Sequence, residues 1–240
     1  MHKRTLLAFS ISAALSLTVA ATAQAASLSQ NFDTVSTLAA QGWSLQNRST
    51  TVGTTGWFQG DPTVFPAQAG ATNSYIAANF NNTTGANTIS NWLITPTLTF
   101  FNGDVLTFFT RTVTDAIFPD RLEVRYSDVG GTNVGTTSTS VGDFTTLLLT
   151  VNPTLTTTGY PSVWTQFTAT ISGLAPSGSP GAIAFRYFVT GGGPSGANSD
   201  YIGIDTVTIV PEPSEVLGLL TLGGLGIAGF RLKRGKKATA

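Results

Sequence analysis

The side chains that move protons, attack carbonyls or hold soft metals are nearly absent from this sequence. Its one histidine is His2, cysteine is missing, and the four lysines, Lys3, Lys233, Lys236 and Lys237, sit at the two ends. Thiol nucleophiles, histidine-based triads, histidine-ligated zinc and lysine Schiff bases therefore have nothing to build on between residues 27 and 210. That stretch holds ten carboxylates, Asp33, Asp61, Asp104, Asp115, Asp120, Glu123, Asp128, Asp143, Asp200 and Asp205, against Arg48, Arg111, Arg121, Arg125 and Arg186, a net charge of −5. Carboxylates support two kinds of chemistry. A pair of them hydrolyses glycosidic bonds as acid and base, and Asp115 with Asp120, or Asp120 with Glu123, are candidates. Glu123, however, alternates with apolar Leu122 and Val124 and is expected at solvent beside Arg121 and Arg125, which favours a surface ion pair over catalysis. Oxygen donors without nitrogen or sulfur suit a hard cation, Ca²⁺ above all. The acidic balance argues against nucleic acid, whose affinity rests on Lys and Arg at phosphates.

Aromatic residues are the other chemical resource. Trp43, Trp57, Trp92 and Trp164 lie in or beside apolar runs, and core packing is the common fate of so large a group. Trp57 and Phe58, next to a Gly-rich loop and Asp61, have a second reading as a ligand site in which the rings stack on a sugar. Arg186 interrupts an apolar strand and, if interior, needs a carboxylate partner.

The elements that must position these groups are strands. Arg121 to Ser127 puts Leu122, Val124 and Tyr126 on one face, and Ala182 to Phe188 reads as a more fully buried strand. Further strands are expected near Gln30 to Asp33, Trp43 to Asn47, Tyr75 to Ala78, Asn91 to Phe100, Val105 to Thr112, Thr146 to Val151, Trp164 to Ile171 and Tyr201 to Ile209. No long helical stripe occurs between 27 and 210. The expected fold is all-β, a jelly-roll-like antiparallel sandwich of about eight to eleven strands. The stretches between strands, such as "SDVGGTNVGTTSTSVG" and "TGGGPSGANSD", are low in charge and apolar content and are expected as surface loops without packed structure of their own.

Both ends read as delivery segments. Lys3 and Arg4, the apolar run Leu6 to Ala21, and Ala23-Gln24-Ala25 make residues 1–26 a secretory signal peptide with its helix. At the other end Pro211-Glu212-Pro213 precedes the apolar residues 216–230 and a basic tail, 231–240. Fifteen residues at ~1.5 Å each make roughly 22 Å of helix, short of the ~30 Å hydrocarbon core. Five glycines weaken it further, and the basic tail holds the C-terminus in the cytoplasm. A short span of this kind suits a temporary hold in the membrane; a permanent anchor is the alternative. Gly224-Leu-Gly226-Ile-Ala-Gly229 satisfies a dinucleotide fingerprint, but no strand precedes it and no acidic residue follows.

Taken together, "NFD", "TTGWFQG", "YIAANF", "NWLITPTLTF", "DRLEVRYS", "WTQFTATISGL", "IAFRYFV" and "YIGIDTVTI" resemble the choice-of-anchor J domain, a relative of cleaved-adhesin and MAM-like jelly rolls, over residues 27–210. Residues 211–240 resemble a PEP-CTERM sorting signal with Pro211, Glu212 and Pro213 as its motif. The resemblance implies an exported bacterial protein, recognised by a membrane transpeptidase of the exosortase class and often made alongside exopolysaccharide. It also implies a structural calcium shared by Asp33 in the first strand and Asp205 in the last, although this chain has Thr206 where the family often has a second acid. The functional expectation is a surface or matrix adhesion module that binds glycan and is not an enzyme. A matrix component without a discrete ligand and a carboxylate glycosidase are the alternatives. Mass spectrometry of the mature protein from its native host is expected to find an N-terminus at Ala26 or Ser27 and a C-terminus near residues 211–213; an intact Ala240 would contradict processing.

Overall fold

Period-two alternation becomes pleated strands wherever one side chain in two can be buried. The computed structural model describes residues 26–211, and the signal segment, Glu212, Pro213, the apolar stretch 216–230 and the basic tail lie outside the described residues. Thirteen strands form: β1 (Leu28–Gln30), β2 (Ser44–Asn47), β3 (Thr50–Val52), β4 (Phe58–Gln59), β5 (Ile76–Asn79), β6 (Thr83–Ile94), β7 (Leu98–Phe100), β8 (Val105–Thr112), β9 (Leu122–Ser127), β10 (Thr146–Val151), β11 (Thr165–Thr170), β12 (Ser179–Gly192) and β13 (Tyr201–Val210). All pairings are antiparallel. One sheet runs β11-β8-β13-β5-β4 with β1 on β13; the other runs β10-β9-β12-β6-β2 with β3 on β6 and β7 on β12. The all-β two-sheet sandwich is the expected architecture, with more strands than expected because β3, β4 and β7 are two or three residues long.

The main core fills the space between the sheets. Phe108 of β8 meets Phe185 of β12 edge to face at 5.0 Å, which joins the two layers. Ile76, Leu106, Ile202 and Ile204 come from the first sheet, and Ile89, Leu93, Val124 and Val189 from the second. Burying each such side chain contributes roughly 1.5–3 kcal/mol.

Both outer faces are also covered, and this corrects two expectations. Glu123 does face away from Leu122 and Val124, but it is not at solvent. Residues 128–144, expected as unpacked loop, fold over that face and bury Val134 and Phe144 against Trp92 and Ile94. Beneath this cover Glu123 is 8% exposed and Arg186 1%. One oxygen, Glu123 Oε2, accepts from Arg125 at 2.7 Å and from Arg186 at 3.1 Å. The Arg186 guanidinium lies between the rings of Trp92 and Phe188, 4.7 and 3.7 Å from their centroids. It also donates to the Ser90 hydroxyl and to the Ser138 carbonyl of the cover. Burial drops it to about 10, opposed by the charge of Glu123, so it remains a cation at neutral pH. Arg186 therefore has the carboxylate partner that its position demanded.

Arg186→Ala removes the more deeply buried of the two cations on a buried carboxylate and unpins the cover. It is expected to cost about 3 kcal/mol, read as a lower urea midpoint. A loss below about 1 kcal/mol, the range of an exposed pair, would show that the ion pair does not hold this face.

Candidate ligand cleft and the acidic residues around it

The antiparallel register places the two ends of the described body at one end of the sandwich. Leu28 pairs with Ile209 and Val210 with Val105. The opposite end is made by the residues before β6, the β8–β9 loop, the β10–β11 loop and the β12–β13 loop. Ten residues of β13 at ~3.3 Å each separate the two ends by roughly 30 Å.

A cleft of about 380 Å³ opens at that far end. Phe80, Ile117 and Phe118 give it apolar walls, Asp115 and Asp200 stand on its sides, and the Gly193-Pro194 turn forms part of its rim. Ile117 is 71% exposed and Phe118 39%, so two adjacent large apolar side chains lie open at the cleft. A second hollow of about 470 Å³ lies across the same ridge, lined by Val113, Asp115, Ala116, Thr157, Thr158 and Tyr160 among others. Asp115 adopts φ +57°, a left-handed conformation that Asp tolerates better than most residues. No arginine lines either space.

One carboxylate holds these loops together. Asp120 is fully buried. Its Oδ1 accepts from the Tyr187 hydroxyl and the Asp200 N–H, and its Oδ2 from the Thr112 hydroxyl, while its backbone carbonyl accepts from the Asn152 side chain. The Pro119 carbonyl takes the Ser199 N–H at 2.9 Å, and the Asp200 carbonyl takes the Phe80 N–H at 2.9 Å. Strands β8, β12 and β13 and the cleft loops thus converge on one side chain. Burial raises Asp120 to about 6 despite these donors, and burial raises Asp200 as well. A carboxylate whose oxygens already carry three donors inside the protein is not placed to protonate a glycosidic oxygen. Asp115 and Asp120 play different parts, one on the cleft surface and one beneath it. Glu123 lies under the cover on the other sheet, so neither proposed pair forms.

The ligand site read from Trp57, Phe58 and Asp61 does not share one surface. Trp57 is 6% exposed and packs in the main core. Phe58 packs on the outer face of the first sheet, edge to face with Tyr201 at 5.8 Å. With Trp57 in the core between the sheets and Phe58 on the outer face, the two rings cannot form one platform. Asp61 is exposed, and its carboxylate accepts from Thr63, which lowers it. Around Phe58 the outer face carries an aromatic layer in which Phe65 stacks on Tyr75 at 5.1 Å and meets Trp164 and Tyr201 edge to face. Gly203 permits it: a Cβ there would lie 2.8–2.9 Å from Trp164, Phe65 and Tyr75.

Asp33 and Asp205 both approach residues 67–74, but in different ways. Asp33 is exposed, with Oδ1 against Gly70. Asp205 is buried and accepts the N–H groups of Gln68 and Ala69 on Oδ2 and that of Thr206 on Oδ1. These residues do not fit a calcium well, because a cation needs lone pairs that here face N–H donors. Among the described residues no three Asp, Glu, His or Cys side chains gather into a cluster. Pro211 ends the described chain, half-buried.

The antiparallel two-sheet fold is shared with solved cleaved adhesin domains. The K1 cleaved adhesin domain of Lys-gingipain from Porphyromonas gingivalis W83 matches with a TM-score of 0.51 at 23% identity, over 78% of this chain and 99% of that domain. The K3 cleaved adhesin domain of the same protein matches with a TM-score of 0.50 at 18% identity, over 78% of this chain and 100% of that domain. No family model matches the sequence, and no curated protein does.

Asp120 and Asp205 are each raised by burial from 3.8 to about 6. The folded protein then holds protons that the unfolded chain releases between these values, so stability is greatest below about pH 4 for these groups and falls as pH rises through about 6. For Asp120 alone two units amount to about 3 kcal/mol. The urea midpoint is expected to be higher near pH 5 than near pH 7.5, and Asp120→Asn to flatten that difference. An unchanged profile in the variant would show that Asp120 does not titrate in this range.

Proposed function

We propose that this chain is an exported bacterial surface or matrix protein, delivered through its PEP-CTERM segment by an exosortase-type transpeptidase, and that its sandwich is a non-catalytic adhesion module binding neutral glycan in the far-end cleft. The single observation that carries the binding site is the cleft's lining: exposed Ile117 and Phe118 beside the carboxylates of Asp115 and Asp200, with no cation among them. Sugar rings have an apolar C–H face and a rim of hydroxyl donors, so they match an apolar wall flanked by acceptors. A half-buried Asp200 gains from hydroxyl donors that restore what burial removed. Polyanionic glycans and nucleic acid are disfavoured by the same carboxylates and by the net charge of the body.

The geometry of the ends supports an adhesive role. A body held in the membrane or at the surface through the residues that follow Pro211 would present the cleft roughly 30 Å away, facing outward. The fold shared with cleaved adhesin domains agrees with this reading.

The full chain is expected to bind neutral polysaccharides saturably on a glycan array. Phe118→Ala and Asp200→Asn should each weaken that binding at least about tenfold, or ~1.4 kcal/mol, without lowering the thermal midpoint. Binding that survives both substitutions would move the site elsewhere. No saturable binding to any glycan would favour a matrix component without a discrete ligand.

A further inference from the structure

Asp120 roots more than the wall of the cleft. Its carboxylate holds Asp200 on one side, while its backbone carbonyl accepts Asn152 Nδ2 at 2.7 Å on the other. Asn152 closes its own loop: Nδ2 also donates to the Thr156 carbonyl at 2.8 Å, and Oδ1 accepts the Thr156 N–H at 3.0 Å. The other end of this loop is tied to β8, where the Thr112 N–H donates to the Pro161 carbonyl at 2.8 Å and Arg111 donates to that of Ser162. Residues 152–162 are therefore held at both ends, and across from residues 112–116 they wall the second hollow. Val113 and Asp115 line both spaces, so the cleft and the hollow are the two flanks of one ridge.

The flanks differ in chemistry. Where the cleft has Phe80, Ile117 and Phe118, the hollow has exposed Thr157, Thr158 and Ser162, together with Val163, which is 65% exposed. Among the described residues Asp115 alone brings charge to this lining. Arg111, although it reaches the Ser162 carbonyl, lays its guanidinium on the Phe65 ring at 4.3 Å. Hydroxyl groups both donate and accept, so a surface of this kind suits an uncharged ligand that does the same. A carboxylate offers about four lone-pair sites, enough for Asp115 to accept from either flank. We propose that the hollow is a second subsite for the neutral glycan of the cleft, one chain crossing the ridge at Asp115 and occupying both flanks. This rests on the glycan reading of the cleft and adds the size of the ligand to it: a polymer rather than a single sugar.

Size and rigidity favour one ligand over two. At about 380 and 470 Å³, each space lies in the lower part of the ~300–1,000 Å³ range of ligand sites, and neither encloses a long chain by itself. A chain seated on one flank holds its next units beside the other. The second contact is then made within a complex already formed, at a high effective concentration and without a second loss of translational freedom. Both outer walls are fixed beforehand through Asp120, one by its side chain and one by its backbone, so the gain is not spent on ordering loops. A single sugar can use one flank only. The signature of the arrangement is an affinity that climbs once the chain is long enough to cross the ridge.

The test uses oligomers of neutral glucans, galactans and mannans, graded from the single sugar to the hexamer, printed on one array and titrated with the purified full chain. Within a series that binds, affinity is expected to rise at least about tenfold from the shortest oligomer bound to the hexamer. Thr158 lines the hollow and not the cleft, so Thr158→Trp, which fills the hollow, should flatten that rise and leave the shortest bound oligomer as it was. Thr157→Trp, at the neighbouring exposed position, repeats the test if the first variant has a lowered thermal midpoint. Phe118→Ala, on the cleft flank, should weaken every length alike. A wild-type affinity independent of length would overturn the second subsite and leave the cleft reading standing. A rise that survives in both tryptophan variants would place the added units elsewhere and overturn it too. Failure of every oligomer to bind would overturn both readings.

Discussion

Asp120 cannot reach water, and its charge is tolerable only because donors from three directions converge on it. Tyr187 reaches it from β12, Thr112 from β8 and the Asp200 N–H from the head of β13. These strands belong to both sheets, so the group closes the far end of the sandwich where strand pairing stops. The cost of burying a carboxylate is several kcal/mol if donors are missing, and the loops are therefore not free to drift. Asp200 is held by its backbone to Asp120 while its side chain turns to the cleft. A loop whose root is fixed this firmly offers a preorganised surface, since contact with a ligand need not first order the scaffold. The carboxylates at this end thus divide into one that builds the site and two that face it.

The same economy of charge explains the outer faces. A sandwich ordinarily leaves these to solvent and dresses them with polar side chains. Here each face carries large groups and is sealed by a long loop between two paired neighbouring strands: residues 128–144 above Trp92 and Arg186, and residues 60–74 above Tyr75 and Trp164. The first cover rests on an ion pair and two rings that grip one guanidinium, the second on an aromatic layer made possible by the missing side chain at Gly203. With few charges available between residues 27 and 210, solubility falls to Thr, Ser and Asn, and the loops gain their order from a few apolar anchors.

What could be read from the sequence follows from how local each determinant is. Strands β8 and β10 fall on Val105–Thr112 and Thr146–Val151 as expected, because their patterning needs no knowledge of a partner. The expected strand Asn91 to Phe100 is two strands in different pairings, since Thr95 and Pro96 interrupt it and proline offers no N–H to the ladder. The first half of β6, Thr83 to Asn87, has no apolar period to detect: its only apolar side chain is Ala86, and much of it lies at the edge beside β3. The first strand begins two residues earlier than expected, and Phe32 at φ +53° turns the chain where the strand was expected to continue. Arg186 announced its need for a partner, but Glu123 was misread because only Val134, Val141 and Phe144 betray that a polar, Gly-rich loop packs above it.

The cleft was hidden for a different reason. Its lining comes from segments around residues 80, 115 and 196, none of which carries a motif, and each aromatic in it looks locally like any other core residue. Only burial separates Trp57, a chemically better sugar platform that is turned inward, from Phe118, a poorer one that is turned outward. Composition therefore limited the chemistry of this protein more firmly than it located it. The exclusion of thiols, imidazoles and lysine amines holds wherever the strands run, because it depends on what is absent from residues 27–210, whereas a binding surface depends on which of several equivalent side chains the covers leave uncovered. In a sandwich sealed on both faces, the ends are what remain. At the end far from Leu28 and Val210, exposed Ile117 and Phe118 stand beside Asp115 and Asp200 around one cleft, and that coincidence of position and chemistry is the physical basis for the recognition proposed there.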